Sequence, residues 1–147
     1  MKIELITGTA GQDGSYLSDN FCKVYENNSW GDSESRSGEG SNLEATKTLR
    51  RELPYLFKKY NIKSMLDIPC GDFNWMRQLD LSGIEYMGGD IVEDLIKNNT
   101  RSDPEVEFRV MNILTDDLPC VDLILCRDLL VHLSNANIHS ALKNIYK

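Results

Sequence analysis

Hydrophobic positions in this chain fall into two alternating rhythms. Short apolar runs such as Ser64-Met65-Leu66-Asp67-Ile68 and Val121-Asp122-Leu123-Ile124-Leu125-Cys126 have the length and composition of buried strands. Between them apolar residues recur at helical spacing, as with Leu49, Leu53, Leu56, Phe57 and Tyr60, or Ile138, Ala141, Leu142 and Ile145. Four strand–helix units follow from this pattern. The first pairs 63–68 with a helix from about Asp72 to Leu79, marked by Phe73, Met76 and Leu79, and the second pairs 85–90 with a helix over 91–98. The third strand spans 106–113, where Val106, Phe108 and Val110 alternate, and the fourth pairs 121–126 with a helix over 135–146. Strands that alternate with helices require right-handed crossovers and a parallel sheet. The predicted class is α/β.

Ahead of these units, Ser41-Asn42-Leu43-Glu44 fits a capping box, with Ser41 as N-cap and Glu44 reaching back. The helix it opens contains Pro54, which either kinks it or divides it in two. Residues 21–25 read as a short helix ended at Asn27–Gly31, and the polar stretch 32–41 follows. That stretch is either a solvated, mobile linker or a lid closing over a ligand, with Trp30, Ser37 and Gly38 as its contact residues.

Composition narrows the function. The 147 residues suit a single domain, and 41% hydrophobic content suits a folded one. A net charge of −7 argues against a nucleic-acid partner, and Lys47, Arg50, Arg51, Lys58 and Lys59 read as the wet face of a helix. No apolar run has the length of a membrane span, and Met1 to Leu17, with an acid and several glycines, does not read as a signal peptide. Cys22, Cys70, Cys120 and Cys126 lack paired metal-ligand spacing, so no metal is expected. They read as buried free thiols of a cytoplasmic protein.

Candidate chemistry collects at the strand ends, where open parallel sheets bind ligands. Asp67 ends the first strand and is followed by Pro69-Cys70-Gly71-Asp72, a tight loop whose glycine allows close approach to the backbone. Asp90 ends the second strand, where a carboxylate can accept both hydroxyls of a ribose. Asn112 follows the third strand and suits either an adenine edge or a turn. Cys126-Arg127-Asp128 ends the fourth, with His132 one helical turn beyond. His132 is either a proton acceptor or a packed ring, Asp128 either orients it or binds substrate, and Arg127 pairs with an acid or with an anionic substrate.

This layout, from about residue 21 to the end, resembles the class I S-adenosylmethionine (SAM)-dependent methyltransferases. The first loop carries fewer glycines than that family usually has, since only Gly71 stands among Pro69, Cys70 and Asp72. The resemblance implies a Rossmann-like parallel sheet, present here as its first four strand–helix units, with SAM as cofactor. It places Asp67, Pro69, Cys70, Gly71, Asp90, Ile91, Asn112, Ile113 and Arg127 at the cofactor, and Asp128 and His132 at the methyl group. Trp30-Gly31 and Ser37-Gly38-Glu39-Gly40-Ser41 are similar to the lead-in of a bacterial group of these enzymes.

Family members continue into three more strands, so the fourth strand of this chain is expected at an exposed edge. Either Ile3–Thr7 or a second copy of the chain would pair there. The fragment from Leu5-Ile6-Thr7-Gly8 to Gly11-Gln12-Asp13-Gly14-Ser15-Tyr16-Leu17 resembles the opening of a GDP-mannose 4,6-dehydratase, whose turn holds NADP. No second strand with a ribose-reading residue follows it, so 1–20 reads as a remnant, 21–62 as lead-in lid and helix, and 63–147 as a partial SAM-binding domain. The expected function is methyl transfer to a small-molecule or sugar-related acceptor. The alternatives are a non-catalytic SAM- or nucleoside-binding remnant or a subunit completed by a partner, and an NADP-dependent nucleotide-sugar dehydratase fragment.

Overall fold

The computed structural model describes residues 3–7 and 17–147, with the side chains described from residue 18 onward. Five strands form one parallel sheet: β1 (Ile3–Thr7), β2 (Ser64–Asp67), β3 (Glu85–Asp90), β4 (Glu107–Val110) and β5 (Leu123–Arg127), in the order β1-β5-β2-β3-β4. Four helices accompany them: α1 (Leu17–Glu26), α2 (Lys47–Lys59), α3 (Glu93–Ser102) and α4 (Asn135–Ile145). The α/β class and the parallel sheet follow the hydrophobic pattern. The edge beside β5 is filled by β1, which runs parallel to it with Ile3 opposite Leu123 and Thr7 opposite Arg127. The glycine turn after β1 lies outside the described residues, and with it residues 8–16 of the dehydratase-like fragment.

Both faces of the central strands are buried, which accounts for their continuous apolar runs. Along β2 and β5, Leu66, Ile124 and Cys126 point to one face and pack with Met111, Ile113, Leu133, Ala141 and Ile145. Met65, Leu123 and Leu125 point to the other and pack with Leu53, Phe57, Phe73, Trp75 and Met76. Helix α2 therefore covers one face through Leu53 and Phe57, and α4 covers the opposite one through Ala141 and Ile145. A third cluster joins Cys70, Val92, Leu95 and Ile96 to Phe21, Cys22 and Tyr25, which seats α1 against α3. Pro54 lies inside the single helix α2, so the element is not divided.

Three local expectations fail. No α-helix follows β2. Gly71 and Phe73 both take left-handed backbone angles, with φ of 57° and 58°, and only a short 3₁₀ turn forms at Met76–Gln78. Phe73 and Met76 are still buried and Leu79 partly so, because an irregular loop buries the same apolar residues. The capping box does not form either, since Ser41 belongs to a 3₁₀ turn at Glu39–Ser41 and α2 starts at Lys47. Asn42 takes over the local turn, its Oδ1 accepting the Ala45 N–H at 2.9 Å. Finally, Cys120 is exposed and Cys22 only partly covered, whereas Cys70 and Cys126 are buried. Of the basic residues on α2, Lys47, Arg51, Lys58 and Lys59 are exposed, while Arg50 turns inward to donate to the Leu43 carbonyl at 2.7 Å.

The sheet's interior sets the stability. Truncating Leu66, fully buried between β3 and β5, to alanine is expected to lower the unfolding free energy by about 2–5 kcal/mol in urea titrations. Truncating Tyr55, 60% exposed on α2, should cost less than about 0.5 kcal/mol. Equal losses would contradict this assignment of the core.

Candidate functional site

A cavity of about 420 Å³ opens at the carboxyl ends of β2, β3 and β5. Its floor is built from strand ends. Asp67, Pro69, Cys70 and Gly71 come from β2 and its loop, Asp90 and Ile91 from β3, and Arg127 and Asp128 from β5. Its walls are α1, through Phe21 and Tyr25, and the strap 30–41. Residues far apart in sequence thus meet because parallel strands end on one side of the sheet.

Two buried carboxylates lie at this floor. Asp90 Oδ2 accepts the Gly71 N–H at 3.1 Å and Oδ1 the Val92 N–H at 3.0 Å, so the acid ties the loop after β2 to the end of β3. Burial raises its pKa to about 6, against the opposing pull of the Val92, Gly71 and Ile91 backbone N–H groups. Asp67 accepts the Tyr86 hydroxyl at 2.9 Å. Burial raises its pKa to about 7, opposed by that hydrogen bond; the nearby Asp90 charge adds to the rise and the Arg127 charge counters it. Cys70 sits between them, and burial together with both acids holds its thiol well above the usual range. This buried thiol forms part of the cavity wall.

The strap is fastened by side chains from the loop after β2. Asp72 accepts the Ser35 hydroxyl at 3.0 Å and the Arg36 N–H at 2.8 Å, and its own N–H donates to the Ser37 hydroxyl at 2.9 Å. Asn74 Nδ2 donates to Glu34 Oε1 at 2.6 Å and to the Ser41 carbonyl at 3.2 Å. From β5, Arg127 donates to the Gly40 carbonyl, pairs with Asp128 at 2.9 Å and stacks 5.9 Å over Trp75. Residues 32–41 are therefore a fixed wall of the cavity, not a free linker. Glycines make the fit possible. A Cβ on Gly40 would lie 2.9 Å from Asp128 Oδ2, and the space beside Gly71 is taken by the Ser37 hydroxyl. Gly71 thus admits the strap, where the sequence suggested that it admits a ligand.

Most expected site residues line this cavity: Asp67, Pro69, Cys70, Gly71, Asp90, Ile91, Arg127, Asp128 and His132, with Trp30, Ser37 and Gly38 from the strap. Asn112 and Ile113 do not. They line a much smaller adjoining pocket that shares Phe21, Pro69, Asp90, Ile91 and Leu129 with the main one. The Asn112 Oδ1 accepts the Leu114 N–H at 2.9 Å, a turn contact. Asp128 is ion-paired with Arg127 rather than placed to orient His132. His132 instead rests against Trp30 and Phe21, ring centroids 5.8 and 5.9 Å away, and its ring nitrogens make no hydrogen bond to the described residues. Sequence reasoning missed Asp72, Asn74, Tyr86 and Asn99. The last donates to the Gly71 carbonyl at 2.8 Å and so fixes the loop from α3.

No protein-family model matches the chain, and no curated protein matches it. Among solved structures, the PH0226 protein of Pyrococcus horikoshii OT3 superposes with a TM-score of 0.58 at 23% identity, over 74% of this chain and 55% of that one. Human N-acetylserotonin methyltransferase in complex with SAM superposes with a TM-score of 0.55 at 18% identity, over 71% of this chain and 32% of that one. The chain thus spans about half the length of the first and a third of the second. The fold is a Rossmann-like, methyltransferase-type α/β fold.

Two outcomes are expected from this geometry. Asp72→Ala should free the strap, so that trypsin cuts after Arg36 at least about tenfold faster than in the parent while the far-ultraviolet circular dichroism is retained. An unchanged rate would mean that Asp72 does not hold it. The second concerns pH. Asp67 has an ordinary pKa of about 3.9 in the unfolded chain and about 7 when folded. Between those values the folded protein keeps a proton that the unfolded chain releases, so stability falls as pH rises through the window and levels off above it. The urea midpoint should drop from about pH 5 to about pH 8, and Asp67→Asn, which keeps an acceptor for Tyr86, should flatten that drop. An equally steep drop in the variant would refute the assignment.

Proposed function

We propose that this cavity binds SAM and that the protein is a SAM-dependent methyltransferase acting on a small hydroxyl-bearing acceptor. The observation that carries the reading is Asp90, a carboxylate at the end of β3, next to β2 in the sheet, buried and lining a cavity large enough for a nucleoside. The residues present fit such a ligand chemically. Asp90 keeps acceptor capacity toward the cavity for ribose hydroxyls, and Ile91, Val92 and Leu129 offer apolar surface for a base. Asn112 and Ile113, in the adjoining pocket that shares Asp90 and Ile91, sit where a base edge would reach past them. Asp67, which burial makes harder to ionise, would be drawn to its charged form by a cationic ligand above it, and Arg127 also lines the cavity and could meet a carboxylate.

SAM bound there would supply an electrophilic methyl group to the acceptor oxygen, its sulfur keeping the electron pair of the broken C–S bond, and the hydroxyl proton would need an acceptor. We assign His132 the role of taking that proton: it lines the cavity, and among the described residues its ring nitrogens make no hydrogen bond. Asp128 is paired to Arg127, whose guanidinium reaches the strap at the Gly40 carbonyl, and would contribute charge near the acceptor rather than align the imidazole.

Calorimetric titration with SAM tests the reading directly. The parent protein is expected to bind, and Asp90→Asn, which removes the charge, should weaken binding by at least about tenfold with the fold retained. Binding to the parent should also weaken below about pH 6, as Asp90 takes up a proton. No heat from SAM with folded protein would overturn the proposal.

A further inference from the structure

Beyond the floor, the mouth of the cavity is built from three rings that come from three distant parts of the chain. Phe21 of α1, Trp30 of the strap and His132 beyond β5 stand with centroids 5.8 to 6.4 Å apart. Trp30 is 40% exposed, yet it is held in place from behind. Gly38, at φ +88°, leaves no Cβ against it, and one built there would lie 3.1 Å from the Trp30 Cβ. An exposed indole kept on a rigid support at a cavity lip is a stacking platform, since aromatic rings carry large apolar faces that a flat partner can cover.

Charge narrows the partner. Of the cavity's four carboxyl groups, burial makes Asp67 and Asp90 harder to ionise, and Glu39 and Asp128 are matched in number by Arg36 and Arg127, with Arg127 paired to Asp128. A cationic partner would meet the arginines and an anionic one the acids, so an uncharged partner enters at least cost. The open ring nitrogens of His132 beside the platform call for a hydroxyl that can hydrogen-bond to them. We infer that Phe21, Trp30 and His132 form the acceptor subsite, and that it takes a neutral ring with a flat apolar face and an adjacent hydroxyl. A phenol and the face of a sugar share that chemistry.

The inference rests on the SAM-binding reading but is tested apart from it. The protein is labelled with 5-fluorotryptophan, saturated with S-adenosylhomocysteine, and titrated with phenol, methyl β-D-glucopyranoside and benzylammonium while the fluorine signals are followed. Trp30→Phe identifies which of the two tryptophan signals belongs to Trp30. A saturable shift of that signal with phenol or the glucoside, stronger than with benzylammonium, is expected, and which of the two acts decides between an aromatic and a sugar acceptor. His132→Ala should weaken the effective probe at least about fivefold while calorimetry shows S-adenosylhomocysteine binding unchanged. The subsite is overturned if neither neutral probe moves the Trp30 signal, or if benzylammonium is the strongest. Failure of S-adenosylhomocysteine to bind at all would instead remove the cofactor reading.

Discussion

Burying two carboxylates side by side in an apolar sheet is the constraint on which this site depends. Asp67 and Asp90 end neighbouring strands, 2% and 6% exposed, and neither could stand there without compensation. The compensation shapes the surroundings. Asp90 draws the Gly71 and Val92 N–H groups onto itself, which sets the path of the chain out of β2 and out of β3 at once. Asp67 has the Tyr86 hydroxyl from the adjacent strand and the Arg127 charge from β5. Even so, burial leaves both acids harder to ionise than ordinary carboxylates. A positive charge placed over them would favour their ionised forms.

The second layer of the site hangs on the first. Once Asp90 and Asn99 have fixed Gly71, the following residues Asp72 and Asn74 point at the strap and hold it by both backbone and hydroxyl contacts. Arg127 then closes the far end through the Gly40 carbonyl. The wall nearest the solvent is thus secured by the same loop and strand end that form the floor. Rearranging the floor would be felt in the strap, a physical route by which occupancy of the cavity can alter its mouth.

Much of the fold is legible because burial on both sheet faces writes itself into the sequence. Met65 and Leu66, or Leu123 through Cys126, are apolar at every position since each face has its own core. The same logic misleads after β2. Phe73, Met76 and Leu79 have helical spacing, but that spacing reports which residues are buried and not the backbone that buries them. Two left-handed residues in three, Gly71 and Phe73, rule the helix out, and Asp72 spends its carboxylate on the strap. Of the site, the acids at strand ends stood out by position alone. Tyr86 did not, although once β2 and β3 are set parallel with Asp67 opposite Gly88, a tyrosine two residues earlier falls on the same face. Contacts across dozens of residues, such as Asp72 with Ser35 or Trp30 with His132, leave no local pattern.

The strap also explains why a loop poor in glycine can serve here. A glycine-rich turn leaves backbone bare so that a ligand can lie against it. In this chain the bare backbone at Gly71 is occupied by Ser37, and Pro69 and Cys70 present side chains to the cavity. The ligand surface is therefore shifted from backbone N–H groups of a helix start, which this loop does not form, to carboxylates and apolar side chains. Such a floor suits hydroxyl donors over phosphate, whose recognition needs the N–H groups that Asp90 and Asp72 have already claimed. That preference is the chemical ground, in this chain's own residues, for proposing a sulfonium nucleoside rather than a dinucleotide.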